Sequence, residues 1–418
     1  MIGKSRLMLA VALLALLGAL AVVSRWHKSA LLQQGISPTD REVAVSTSVD
    51  RGPGSLREAL FRADGMPGSV RVVIRVKQVV LEGPLPPLVN PHGISIVVAA
   101  LGAEIDGHAL RNAPVFDVDA ENVSITGLTV RNCPGPGILV RAGKFHLASS
   151  TIASCDVGVD VAEGVDAVSL EHNSFAGNRV GVRFAAGSRA SMVVGNKFSA
   201  DAAAGIWAVR AKAGARDAAS IVVRDNQFDD DRIGVVAGNI AMLLDRNVLN
   251  NAREAAIHVI GAGASVRGNR ISGSAAMGIV AENAVEVTIT DNEIDHAVAY
   301  GIMVKGSEDL LVQGNQVHNC GYGMAFVLGD ALHPSTAVEN TIFGVKYHGF
   351  DVVGASPILR RNRFMQEGST PLHVENYQPP GGHIIYSRPF LEGNNWSGGS
   401  GASAAIVPAH SSAPVTGH

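Results

Sequence analysis

Three stretches carry most of the reactive side chains: "NEIDHAVAYGIMV" at 292–304, "NQVHNCGYGMAFV" at 315–327 and "VKYHGFDVV" at 345–353. Each sets His or Lys a few residues ahead of Tyr or His, which directly precedes a glycine. All five tyrosines fall between Tyr300 and Tyr386, and six of the fourteen histidines between His296 and His383. Imidazole takes or gives a proton near neutral pH, a phenol can return one, and an ammonium can hold an anion as charge develops. His318, Tyr322, Lys346, Tyr347 and His348 therefore form the candidate catalytic set. Tyr300, Lys305, Asp351, Arg361 and His373 are the candidate substrate contacts. Such distant residues act together only if the fold stacks one segment on the next.

The chain carries a repeat that would do this. Asn stands two residues before an aliphatic or aromatic residue at 173, 196, 226, 247, 269, 292, 315, 340 and 362, in steps of 21 to 25 except one of 30. The long step holds the insertion "AKAGARDAA". Two weaker copies, "VSITGLTV" and "FHLASSTI", put Gly127 and Ser150 at the Asn position. A second short run follows each copy, as in "GVRF", "GIMV" and "GFDV", with its second and fourth residues apolar. That period of two marks a strand with one buried face. Short strands repeating every 22 or so residues indicate a solenoid. The Leu-x-x-Leu-x-Leu spacing of a leucine-rich horseshoe is missing, which leaves a parallel β-helix with coils stacked at roughly 4.8 Å. Recurrent Asn would then hydrogen-bond its copies above and below.

The third residue of each run should form an outward row, from Leu139 and Asp160 through Arg183, Trp207 and His258 to Asp351, extended by His373. Stacking should bring Tyr300, Tyr322 and His348 together, and line one turn with His296, His318 and Lys346. Arg360, Arg361 and Arg363 flank Asn362 in "LRRNRF"; alternation points two of them outward, where they could meet an anionic polymer, with a solvated basic turn as the default. "DDD" at 229–231 reads as a solvated acidic turn, and "NPHG" at Asn90 as a turn. Cys133 and Cys155, 22 apart, should be stacked neighbours within disulfide range. Cys320 shares their phase as a small buried filler.

The bulk numbers agree: 418 residues, 47% hydrophobic, 5% aromatic and 47 glycines suit a Gly-rich β fold better than a helical enzyme. Residues 1–28, with an unbroken apolar run from Leu7 to Val23 between basic flanks, read as a signal peptide or an uncleaved inner-membrane anchor. Either places the rest in the periplasm or outside the cell. Beyond them, 30 Lys and Arg stand against 37 Asp and Glu, a net charge that argues against nucleic acid. Residues 29–45 read as a linker, 46–396 as one β-helix domain of ten to twelve coils, and 397–418 as a flexible tail. Within 46–66 a short helix should cap the open end, with Ser55 and Glu58 as a capping box and Leu56, Leu60 and Phe61 on its apolar side.

The repeats and the opening "VSTSVDRGPGSLREAL" resemble the right-handed parallel β-helix proteins of the pectin-lyase-like superfamily. "YHGFDVVG" is partly similar to the Tyr-Gly-Phe-Asp-Pro-His motif of alginate C5-epimerases, with His348 inserted and Val352-Val353 in place of Pro-His. The resemblance implies an exported protein acting on an acidic, uronic-acid polysaccharide by C5 proton abstraction, as a lyase or an epimerase. That chemistry calls for no cofactor and leaves room for Ca²⁺. The alternative is a non-catalytic β-helix that holds a glycan or scaffolds an envelope complex. Paired carboxylates for hydrolysis are not evident, and the sequence fixes no oligomeric state.

Overall fold

A computed structural model describes residues 41–99, 102–210, 221–365, 369–396 and 405–406. The chain divides into two compact units after Glu42, and the second, from Val43 onward, holds the repeats. The expectations for residues 1–28, and for most of 397–418, lie outside the described residues.

The repeats wind into an all-β, right-handed parallel solenoid of about thirteen turns, slightly more than the ten to twelve expected. One coil shows the plan. Leu311–Gln313 lies in a first wall, Gln316–His318 in a second and Tyr322–Val327 in a third. Each pairs in parallel with its copy one coil on: Val312 opposite Ala337, Val317 opposite Ile342, and Met324 opposite Phe350. The first wall is a 15-stranded sheet ending at Phe390–Glu392. Residues in register across coils fill the interior with ladders of Val, Ile, Leu and Phe. Phe175, Phe198 and Phe228, for example, stack at 4.9 and 4.6 Å between ring centres.

The corner between the first two walls explains the recurrent Asn. A residue in the left-handed region, such as Asp291, Gly314 or Glu339, turns the chain, and the following Asn points inward. Asn292 donates through Nδ2 to Asn315 Oδ1 at 2.9 Å, and its backbone N–H reaches the same oxygen at 3.0 Å. Asn315 repeats both bonds to Asn340 at 2.9 Å. These side chains are almost fully buried, so an unpaired amide there would cost about 1–3 kcal/mol. The ladder runs from Asn173 through Asn362 and on to Asn394, beyond the expected last copy. Ser150 joins it through Asn173, but the preceding place belongs to Leu128 rather than Gly127, whose positive φ makes it the turn residue.

The cap forms as a helix, Leu56–Gly65, with Ser55 Oγ accepting from the Glu58 N–H and the Glu58 carboxylate taking the Gly54 N–H. Leu56, Ala59, Leu60 and Ala63 cover the first coil, whereas Phe61 is 74% exposed and not part of the buried side. Two boundaries change. Arg41–Val45, expected as linker, is a strand whose Val45 carbonyl accepts the Arg75 N–H, because its alternating valines fill the end of the core. In the expected tail, Ala405–Ile406 pairs with His373–Val374 on the third wall. Cys133 and Cys155 lie opposite each other and are disulfide-bonded, with Cα atoms 4.2 Å apart. Cys320 is free and buried.

Candidate active site

The third wall carries the outward row in the expected register. Arg183 pairs with Asp160 and Trp207, Val236 with His258, Met303 with Ala325, Ala325 with Asp351, and Asp351 with His373. Glycine opens most of these runs because the stacking leaves little room there, with Ala256 and Pro371 as exceptions. A Cβ on Gly301 would lie 2.8 Å from the Gly323 carbonyl oxygen and 2.2 Å from Val317, and one on Gly323 would lie 2.4 Å from the Gly349 oxygen. With that space closed, the residue just before glycine is left at the outer corner. There Tyr300, Tyr322, Tyr347 and His348 meet.

Tyr300 and Tyr322 stack with ring centres 4.8 Å apart, and Tyr322 lies 4.9 Å from Tyr347 and 5.6 Å from His348. His348 then stacks on His373 at 4.6 Å. His373 Nδ1 is 2.6 Å from an Asp351 oxygen, and both side chains are mostly buried. The hydrogen bond that His373 donates to Asp351 holds the imidazolium above the usual histidine range against the opposing effect of burial. Burial, helped by the neighbouring His373 charge, pushes His348 below that range. Nδ1 of His348 is buried and without a hydrogen-bond partner. Stacked imidazoles are thus set apart: one is favoured neutral, the other charged, with a carboxylate behind it. Burial raises the Tyr300 hydroxyl to about 12, with the Asp351 charge adding to it; the same two causes raise Tyr322. Lys346 is exposed, with Nζ 4.8 Å from the Tyr347 ring centre and a hydrogen bond to Tyr347 that raises its pKa.

Other expected members sit elsewhere. His318 belongs to the second wall, around the corner from Tyr322. Its Nδ1 is 2.9 Å from Asp295, and its ring stacks on Phe343 at 4.8 Å. His296 occupies a left-handed turn position and also holds Asp295, at 2.6 Å. His296, His318 and Lys346 therefore do not share one row, because the corner advances by a residue between them. Lys305 lies on the third wall but is bound to Glu282 of the preceding coil at 2.9 Å. Arg361 stands at the Asn corner, with the second wall between it and the cluster, and pairs with Glu339 at 2.8 Å; Arg360 pairs with Glu392. Neither arginine is free to meet a polymer beside the tyrosines. Asn90 is a buried turn residue bonded to the carbonyls of Ala63, Met66 and Gly68.

From its place at the end of the outward row, His373 is expected only as a substrate contact. The Asp351 pairing was visible in the row, but the partnership with His348 needs the next coil. An open cavity of about 640 Å³ lies instead at the N-terminal cap, between Phe61, Arg57 and the Pro84–Pro86 turn. Its two charged lining residues are already engaged, Arg57 with Asp50 at 2.7 Å and Glu58 with the Gly54 N–H. Among the described residues no group of three or more His, Cys, Asp or Glu is arranged to hold a metal ion.

Solved structures share this architecture. A thermostable α-1,3-glucanase catalytic unit from Streptomyces thermodiastaticus is 15% identical, covering 87% of this chain and 70% of its own, with a TM-score of 0.56. A PL6 family polysaccharide lyase from Pseudopedobacter saltans is 12% identical over 85% and 92%, at 0.52. A mannuronic acid specific family 6 lyase from human gut microbiota is 12% identical over 79% and 87%, at 0.51. At such identities the likeness is one of fold alone. No curated protein matches the sequence. The family model described as a right handed beta helix region matches residues 117–239 and 213–364, more than half of the chain, and the chain belongs to that family.

Proposed function

We propose that this protein binds an acidic polysaccharide along its third wall and abstracts the C5 proton of a uronic acid unit. The observation that carries this reading is the pair of stacked imidazoles, His348 against His373 with Asp351 bonded to His373, beside Tyr322 and Tyr347. His348 takes the C5 proton. His373 faces the substrate carboxylate, whose negative charge grows as the C5–H bond breaks. A tyrosine hydroxyl then completes the reaction. Protonating the C4 oxygen as the C4–O bond breaks gives a C4=C5 double bond and a cleaved chain. Protonating C5 on its opposite face gives the epimer. Lys346 adds an exposed cation at the rim. No cofactor is needed, and Ca²⁺ enters only as an assay variable. The protein would meet such polymers in the periplasm or outside the cell.

A non-catalytic glycan-binding role is the second reading, favoured by the Tyr300–Tyr322–Tyr347 stack, whose outermost ring, Tyr347, is exposed and can hold a sugar without proton transfer. Incubation with a panel of polyuronates, with and without Ca²⁺, separates the two. Ultraviolet absorbance follows the unsaturated product, and NMR in D₂O follows exchange at C5. Turnover that His348→Gln abolishes supports the catalytic reading. Binding without turnover on a polymer that the protein retains sinks it.

A further inference from the structure

The corner between the second and third walls contains an interior row that the proposed chemistry does not use. Along the axis it runs Cys155, Asn178, Asp201, Asp231 and Ala252. Asn178 sets the pattern: its Oδ1 accepts the Cys155 N–H at 3.0 Å and its Nδ2 donates to the Ile152 carbonyl at 3.2 Å. Asp201 Oδ1 accepts the Asn178 N–H, and Asp231 Oδ1 the Asp201 N–H, each at 2.8 Å. One oxygen of each aspartate therefore does what the asparagine oxygen does. The other, Oδ2, takes the place of the amide nitrogen, and in both residues it is buried without a hydrogen-bond partner. Asp201 is 0% exposed and Asp231 1%; of the turn at 229–231, expected to be solvated, Asp229 and Asp230 reach solvent and only Asp231 is closed off.

Two carboxylates one coil apart in a closed interior would each lack solvation and repel the other. A protonated carboxyl instead offers an acceptor and a donor, as the amide of Asn178 does. The surrounding charges do not reverse this. Asp229 and Asp230 approach from the same turn and disfavour ionisation of Asp231. Arg253 opposes them, but its Nη2 donates to the Asp201 carbonyl at 3.0 Å. Arg179 and Arg232 are spent on exposed pairs with Asp156 and Glu254.

We infer that Asp201 and Asp231 are built into the folded solenoid as neutral carboxylic acids standing in for asparagines, and that their ionisation is an alkaline-sensitive switch that loosens the middle coils. Burial first, and then the Asp231 charge, raises Asp201 to about 8; burial raises Asp231 to about 7. Both folded values lie above those of an unfolded chain. The pair's contribution to stability is therefore complete below about pH 4 and is lost as pH rises through 7 and 8.

The test uses the full chain, Asp201→Asn, Asp231→Asn and the double variant. In wild type, difference infrared spectra between pH 5.5 and pH 9.5 should lose the carbonyl band of a protonated carboxylic acid; the double variant should lack that change. Exchange of the Asn178 and Asp201 amides, corrected for intrinsic rate, should accelerate about tenfold or more over the same range in wild type only. The double variant should melt close to wild type at acid pH and above it at pH 9. A wild type without the protonated-acid band at pH 5.5 overturns the inference. So does a double variant that folds but melts with the wild-type dependence on pH. Should the variants fail to fold, the wild-type infrared spectrum alone decides.

Discussion

Two histidine clusters flank one corner of the solenoid, and their partners set them apart. On the second wall His318 lies against Asp295 and Phe343, and His296 shares the same carboxylate. On the third wall His348 has a ring nitrogen without a partner and a face against His373, which Asp351 holds. A satisfied histidine fixes structure. A neutral one beside a charged one can take a proton through Nε2, since its vacant Nδ1 is closed off from solvent. Both clusters hold two histidines about one coil apart and one aspartate, so wall and neighbour make the difference.

Substitutions can break this comparison. The largest effect expected is from His348→Gln, which should lower turnover by about 10²–10⁴-fold, whereas His318→Gln should change it less than about tenfold; initial rates on a polyuronate measure both. An equal loss in the two would merge the clusters. Next in size, Asp351→Asn should cost about 10–100-fold, because His373 loses the partner that keeps it charged. The pH profile sharpens the same contrast. Turnover should rise as His348 loses its proton at a pH below the usual histidine value. It should fall as His373 deprotonates above that value, leaving a bell whose alkaline limb Asp351→Asn moves down. Asn315→Ala should destabilise the coil beneath both clusters by about 1–3 kcal/mol, read in thermal or denaturant unfolding. Arg361→Ala, the smallest, should leave glycan affinity unchanged, since Glu339 already engages that guanidinium. A clear loss would put the Asn corner back in the binding surface.

The fold was legible because its signals are local and repeated. Asn at steps of mostly 21 to 25, the glycine that opens most runs and the alternation after it each reflect a constraint that recurs from coil to coil. The site was legible in part. Tyr300, Tyr322, His348 and Asp351 share a phase that counting along the runs reveals. His318 and Lys346 were misgrouped because the second corner is irregular in length, and one residue there moves a side chain to another wall. Arg361 and Lys305 were expected to be free, since ion pairs between coils leave no mark on the spacing. The buried state of Asp231 was hidden for a similar reason. "DDD" looks solvated until the turn is known to send its third member inward.

The winding, the register of the third wall, the stacked cysteines and the amide ladder each follow from a period written into the chain. Which histidine is satisfied, which carboxyl is closed off from water and which cation is already taken emerge only once the coils are stacked. Those properties depend on burial and on partners one coil away, whose distances a linear pattern does not contain.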